Sequence, residues 1–185
     1  MKTLRSTCAA LALGLAALSL PALAAGEPPP LQAIARLDLQ RYLGHWHEIA
    51  RTPNWFQQKC ASNTSAEYSL HPGGTLRVVN RCRMADGGLN EAVGEARRVG
   101  AADSAQLQVR FAPAWLSWLP VVWGDYWVID IDPDYQLVAV SEPKRDYLWV
   151  LARQPQVDEQ AYQALLQRLQ QKGFDLSRLQ RSPQR

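Results

Sequence analysis

Ser62-Asn63-Thr64-Ser65-Ala66-Glu67-Tyr68-Ser69-Leu70 and Thr75-Leu76-Arg77-Val78-Val79-Asn80-Arg81-Cys82-Arg83 flank the four residues His71-Pro72-Gly73-Gly74. Runs of β-compatible residues on either side of a Pro-Gly-Gly turn read as a β-hairpin. Working outward, the same grammar repeats. Gly44–Arg51 precedes the hairpin. Asp86-Gly87-Gly88 turns into Leu89–Val99, and a loop at Gly100–Ser104 leads to Ala105–Phe111. That last run alternates Leu107, Val109 and Phe111 with Gln106, Gln108 and Arg110, so one face is buried and the other wet. Tyr126–Asp132 and Tyr135–Glu142 meet at Asp132-Pro133-Asp134, and Pro143-Lys144-Arg145 turns into Asp146–Arg153. This makes eight strands with no helix between them, which excludes parallel βαβ topology. Eight antiparallel strands escape their edge problem by closing, and a closed eight-stranded up-and-down barrel can hold one small ligand. After Gln154-Pro155 the pattern becomes helical over about 158–172. Asp158 is placed to cap that helix, Ala161, Leu165, Leu166 and Leu169 form its apolar stripe, and Gly173 lies beyond its end. Residues 182–185 are expected to fray.

The 185 residues are 47% hydrophobic and 20% charged, a balance that excludes global disorder. A net charge of +3 excludes a charge-driven nucleic-acid partner. Lys2 and Arg5 precede the apolar run Cys8–Leu20, and Ala22-Leu23-Ala24 fits a cleavage site, so residues 1–24 read as a signal peptide. Cys8 stands at the start of that run, not at the cleavage point, so a soluble exported protein is expected rather than a lipoprotein. Residues 25–36 form an extended lead-in, and the folded unit runs over 37–181. Without Lys2 and Arg5, 18 basic and 17 acidic groups remain. The two other cysteines, Cys60 and Cys82, read as a disulfide in an oxidising compartment.

Three segments carry a family resemblance. Leu43-Gly44-His45-Trp46-His47-Glu48-Ile49-Ala50-Arg51 resembles the G-x-W signature of the lipocalins. Tyr126–Tyr135 resembles their second motif, and Arg145–Pro155 the third, with Arg153 as its terminal arginine. The wording is closest to the bacterial Blc and apolipoprotein D-like group. The resemblance implies an all-β, eight-stranded antiparallel barrel with one C-terminal α-helix packed outside. It also implies that Gly44, Trp46 and Arg153 close the barrel floor, with the guanidinium over the indole face. The Cys60–Cys82 pair departs from the Blc pattern.

Strand parity, counted from an inward Trp46, nominates the ligand-facing side chains: Glu48, Ala50, Ala66, Tyr68, Val78, Val109, Phe111, Tyr126, Val128 and Trp149. Glu48, Tyr68 or Tyr126 could orient a polar head group. The loop Ala112–Trp123 carries Trp115, Trp118 and Trp123 and no charge. Topology places it at the open mouth, as a lid, a membrane contact or the face of a homodimer.

Chemical motifs are sparse. His45 and His47 lie on the outer face and supply fewer than the three or four ligands zinc takes, so no metal is expected. Asp130, Asp132 and Asp134 start like a calcium loop but have Tyr135 where glycine is needed. Phosphate-cradling, dinucleotide-binding and serine-hydrolase motifs are absent, and no cofactor is expected. The resulting expectation is a non-enzymatic carrier or store of a small hydrophobic ligand in the cell envelope, with fatty acid or lysophospholipid implied by the resemblance. Two alternatives stand beside it: a thiol-dependent enzyme on the same barrel, and a haem or pigment binder.

Overall fold

Strand β1 (Gly44–Arg51) is the first of eight that close on themselves in the computed structural model, which describes residues 28–185. The segment read as a signal peptide, with Cys8, lies outside the described residues. The other strands are β2 (Cys60–Leu70), β3 (Leu76–Met84), β4 (Leu89–Arg98), β5 (Gln106–Arg110), β6 (Gly124–Ile131), β7 (Leu137–Ser141) and β8 (Leu148–Ala152). Each pairs antiparallel with the next, and β1 closes the ring by pairing with both β8 and β2. A short helix, α1 (Leu39–Tyr42), precedes β1, and a longer one, α2 (Glu159–Gln171), follows β8. The side chain of Asp158 accepts from the Ala161 amide and caps α2 as expected.

Two cores form because the wall between them is apolar on both faces. The barrel interior holds Tyr42, Trp46, Tyr68, Val78, Leu107, Val128 and Val140, among others. A second core lies between the barrel wall and α2 and contains Ile49, Ile129, Ala139, Val150, Leu165 and Leu169. Strand β7 is buried at all five positions because it separates the two. On α2 the buried residues are Tyr162, Leu165 and Leu169, whereas Ala161, assigned to the stripe by spacing, is exposed. Arg168 of α2 reaches back to the Asp130 carboxylate with two hydrogen bonds of 2.8 and 2.9 Å.

The tail corrects the expectation of fraying at 182–185. Strand β9 (Gln180–Arg181) pairs with Ala50 and Arg51 of β1. Beyond it, the Ser182 amide donates to the Ile49 carbonyl, the Asn63 amide donates to the Pro183 carbonyl, and Gln184 Nε2 donates to the carbonyls of both Glu48 and Thr64. β1 and β2 pair only from Gly44 to His47, so their upper halves diverge. The tail fills that gap and satisfies backbone groups that would otherwise be orphaned.

Candidate functional site: the barrel interior and its rim

The closed end is built around Trp46 and Arg153. The guanidinium lies 3.8 Å from the centroid of the fully buried indole. It also donates to the carbonyls of His45 (2.9 Å), Arg41 (2.5 Å) and Tyr135 (3.3 Å), so one side chain ties β1, α1 and the β6–β7 turn together. Partial burial lowers its pKa from the usual arginine value. Gly44 has φ +94°, and a Cβ there would lie 3.4 Å from Arg153 Nη1. The backbone angle favours glycine here, and a Cβ would make only ordinary contact with the guanidinium. Trp46 Nε1 donates to the Tyr42 carbonyl, so α1 plugs the floor.

Above the plug, three tyrosine hydroxyls meet. Tyr126 Oη is 2.6 Å from Tyr42 Oη and 2.8 Å from Tyr68 Oη. Burial pushes Tyr68 up to about 12 and holds Tyr42 and Tyr126 well above the ordinary tyrosine value, so all three stay neutral. Three O–H groups share two contacts, which leaves one proton to offer an acceptor.

The structure brings most of the parity-assigned residues to one interior. Ala66, Tyr68, Val78 and Val128 are buried in it, and Val109, Tyr126 and Trp149 line it while remaining partly accessible. Three assignments need correction. Ala50 faces the α2 side, because a bulge between Glu48 and Ala50 reverses the parity of β1. Arg51, paired across from Trp149, takes the inner place instead. Phe111 follows the last residue of β5 and lies across Gly94 at the rim, 43% exposed; a Cβ on Gly94 would be 2.7 Å from its ring. Glu48 is buried but committed: its carboxylate accepts from Arg51 Nη1, Gln57 Nε2 and Ser182 Oγ. Gln57 Oε1 in turn accepts from Trp149 Nε1. Glu48 therefore anchors the wall, with both carboxylate oxygens engaged by protein donors. Sequence parity missed Arg51 and Gln57, since nothing in Glu48-Ile49-Ala50 marks a bulge locally.

At the rim, Trp115 and Trp118 are 73% and 75% exposed and do not fold inward, so the lid arrangement is absent. Trp123 leaves the mouth altogether. Its ring packs on the outer wall with Arg97 at 4.1 Å and Arg110 at 5.2 Å, and its Nε1 donates to the Ser117 carbonyl. Cation–π stacking on two guanidiniums outcompetes an inward position for this indole. Trp55 and Phe56, in the β1–β2 connection, add exposed aromatic surface.

Cys60 and Cys82 form a disulfide with Cα atoms 5.5 Å apart. Two register shifts in β2 and the left-handed Asn63 (φ 50°) bring the residues into range. His45 and His47 pack edge to face on the outer surface, and among the described residues no cluster of three metal-ligating side chains occurs. Asp130 is held by Arg168, and Asp132 accepts from backbone amides of its own turn. A cleft of about 410 Å³ lies outside the barrel between residues 31–35 and 99–106. Its one ionisable lining residue, Asp103, is paired with Arg36, so the cleft offers no converging chemistry.

The model of the lipocalin-like domain matches residues 37–184. The chain belongs to the lipocalin family. Among related proteins, temperature-induced lipocalin-1 of Arabidopsis thaliana is 39% identical over 160 residues, 85% of this chain and 85% of its own. The outer membrane lipoprotein Blc of Escherichia coli K12 is 35% identical over 152 residues, 82% of this chain and 81% of its own. Apolipoprotein D of Mus musculus is 29% identical, covering 82% and 78%. Among solved structures, insecticyanin of Manduca sexta superposes with a TM-score of 0.63 at 18% identity over 85% of this lipocalin and 86% of its own chain. Lobster apocrustacyanin A1 superposes with a TM-score of 0.60 at 15% identity over 80% of each. Lipocalins bind small hydrophobic ligands, and the barrel described above is the family's fold.

Proposed function

We propose that this lipocalin carries or stores a single-chain lipid, fatty acid or lysophospholipid, in the cell envelope after export, and that it is not an enzyme. The observation that carries the reading is the inner wall itself: Val109, Tyr126 and Trp149 present accessible apolar surface above a tightly filled floor. Each methylene of an alkyl chain buried there contributes about 0.8 kcal/mol. The disulfide supports export, and the lipoprotein name of the Escherichia coli relative is compatible with an envelope setting. The thiol-dependent alternative loses its nucleophile, because Cys60 and Cys82 are bonded to each other. The exposed Trp55, Phe56, Trp115, Trp118 and Val121 favour transient contact with a bilayer surface during lipid exchange, over a homodimer, because indoles prefer the membrane interface. Fluorescence titration tests the lipid reading. A fatty acid or lysophospholipid should change tryptophan emission in the wild type, and Trp149→Phe should remove most of that change. An undiminished change in the variant contradicts the placement, and no change in either protein contradicts the function.

A further inference from the structure

At the closed end, β4 places a cation on the inner face of the barrel. Arg98 pairs across from Leu107, which is buried in the interior, and stands two residues beyond Ala96, also interior. The alternation of β4 therefore turns Arg98 inward. Its Nε and Nη2 are sealed from solvent and make no hydrogen bond. No ion pair among the described residues includes it. Beside it lies a partly open cavity of about 230 Å³ bounded by Leu39, Leu76, Ala96, Leu107 and the backbone turns at Gly74 and Ala102, with no acidic group in its lining.

Arg98 is half-buried, and its two sealed nitrogens have given up hydration without gaining a hydrogen bond or a counter-charge, which is a costly arrangement for a fold to retain. The two unpaired nitrogens form one edge of the guanidinium, the fork that matches the two oxygens of a carboxylate or phosphate. The adjacent cavity is far larger than the roughly 30 Å³ share of one water molecule, so it admits such a group after a small rotation of the arginine side chain. We propose that Arg98 and this cavity form an oxyanion site at the closed end of the barrel, separate from the rim. Its occupant is a carboxylate or phosphate held bidentately. That group can belong to a lipid lying head-down in the barrel or to a small free anion entering between the two floor turns.

The test compares the full exported chain with Arg98→Met, which keeps the length of the stem and removes the charge, and with Arg98→Lys, which keeps the charge and removes the fork. Thermal unfolding in inorganic phosphate up to about 50 mM, against sodium chloride of equal ionic strength, should raise the wild-type Tm by roughly 5–9 °C for a site with a Kd of about 1 mM. Arg98→Met should show no phosphate-specific rise, yet should unfold in chloride no lower than the wild type, because it loses an unpaired charge. Arg98→Lys should keep less than half of the rise. In a second arm, palmitate and hexadecanol are titrated. Palmitate binding about tenfold more tightly than hexadecanol in the wild type but not in Arg98→Met assigns the oxyanion to the lipid head. A phosphate response without that preference assigns it to a free anion. If neither lipid binds while the phosphate response depends on Arg98, the lipid function fails and this site stands. Identical behaviour of wild type and both variants in both arms overturns the proposal. Should Arg98→Met not fold, Arg98→Lys decides alone: an unchanged phosphate response and palmitate preference overturn it.

Discussion

Replacing Arg153 by alanine removes three kinds of contact at the floor at once. The stacking on Trp46 at 3.8 Å contributes about 0.5–2 kcal/mol. The bonds to the His45 and Arg41 carbonyls contribute about 0.5–1.5 kcal/mol each, and the longer one to Tyr135 contributes little. The guanidinium is partly open to water, so the lower halves of these ranges apply, and the expected loss is about 2–3 kcal/mol. For a domain of this size that lowers Tm by roughly 4–12 °C. Arg153→Lys keeps a charge but cannot reach three carbonyls with a planar fork, so it should recover less than half of the loss. Urea denaturation followed by far-UV circular dichroism measures both variants, and lipid affinity measured well below Tm should stay within about threefold of wild type because Arg153 lines neither the inner wall nor the cavity beside Arg98. A loss below about 0.5 kcal/mol for Arg153→Ala refutes the structural role, as does a large affinity loss in a fully stable variant.

Deleting residues 182–185 should cost about 2–4 kcal/mol, since it strips the bridges from Ser182, Pro183 and Gln184 to β1 and β2; unchanged thermal unfolding contradicts the seam. Stability should also fall in alkali. The folded state keeps protons on Tyr42, Tyr68 and Tyr126 that the unfolded chain releases above about pH 10, so the stabilisation is complete below that pH and declines as pH rises towards the folded values, by about 1.4 kcal/mol per pH unit for each tyrosine. Urea midpoints that stay flat above pH 10 contradict the buried cluster, and Tyr126→Phe should give a shallower decline. Replacing Trp115 and Trp118 together by serine should spare the barrel's circular dichroism and reduce vesicle flotation several-fold; wild-type flotation with altered light scattering would instead assign the rim to a dimer.

The barrel was legible because alternation and turn residues are local. The hairpin about Gly73-Gly74, the cap at Asp158 and the third-motif arginine each lie where the pattern puts them. What escaped depended on distant groups. The bulge that turns Ala50 outward and Arg51 inward exists because β1 must serve both the interior and the α2 core, a demand invisible within eight residues. The tail at 182–185 carries a short polar sequence typical of frayed ends, and it is ordered only because β1 and β2 diverge beside it. Trp123 was grouped with Trp115 and Trp118 by proximity in sequence. The short β5 ends at Arg110, so the following loop starts low on the wall and the arginines of the outer face capture Trp123. Glu48 looked like a head-group ligand on parity alone, and its three partners come from β1 itself, the following turn and the far C-terminus.

Native mass spectrometry of the delipidated protein, titrated with palmitate and with a single-chain lysophospholipid, tests most directly whether the interior is a lipid site. One added lipid mass per chain, saturating at a single copy and weakened when Trp149 is replaced by arginine to fill and charge the inner wall, is the result expected from an interior lined by Val109, Tyr126 and Trp149. A spectrum that keeps the bare protein mass throughout the titration, or adducts that accumulate equally in the wild type and the Trp149→Arg variant, would contradict it.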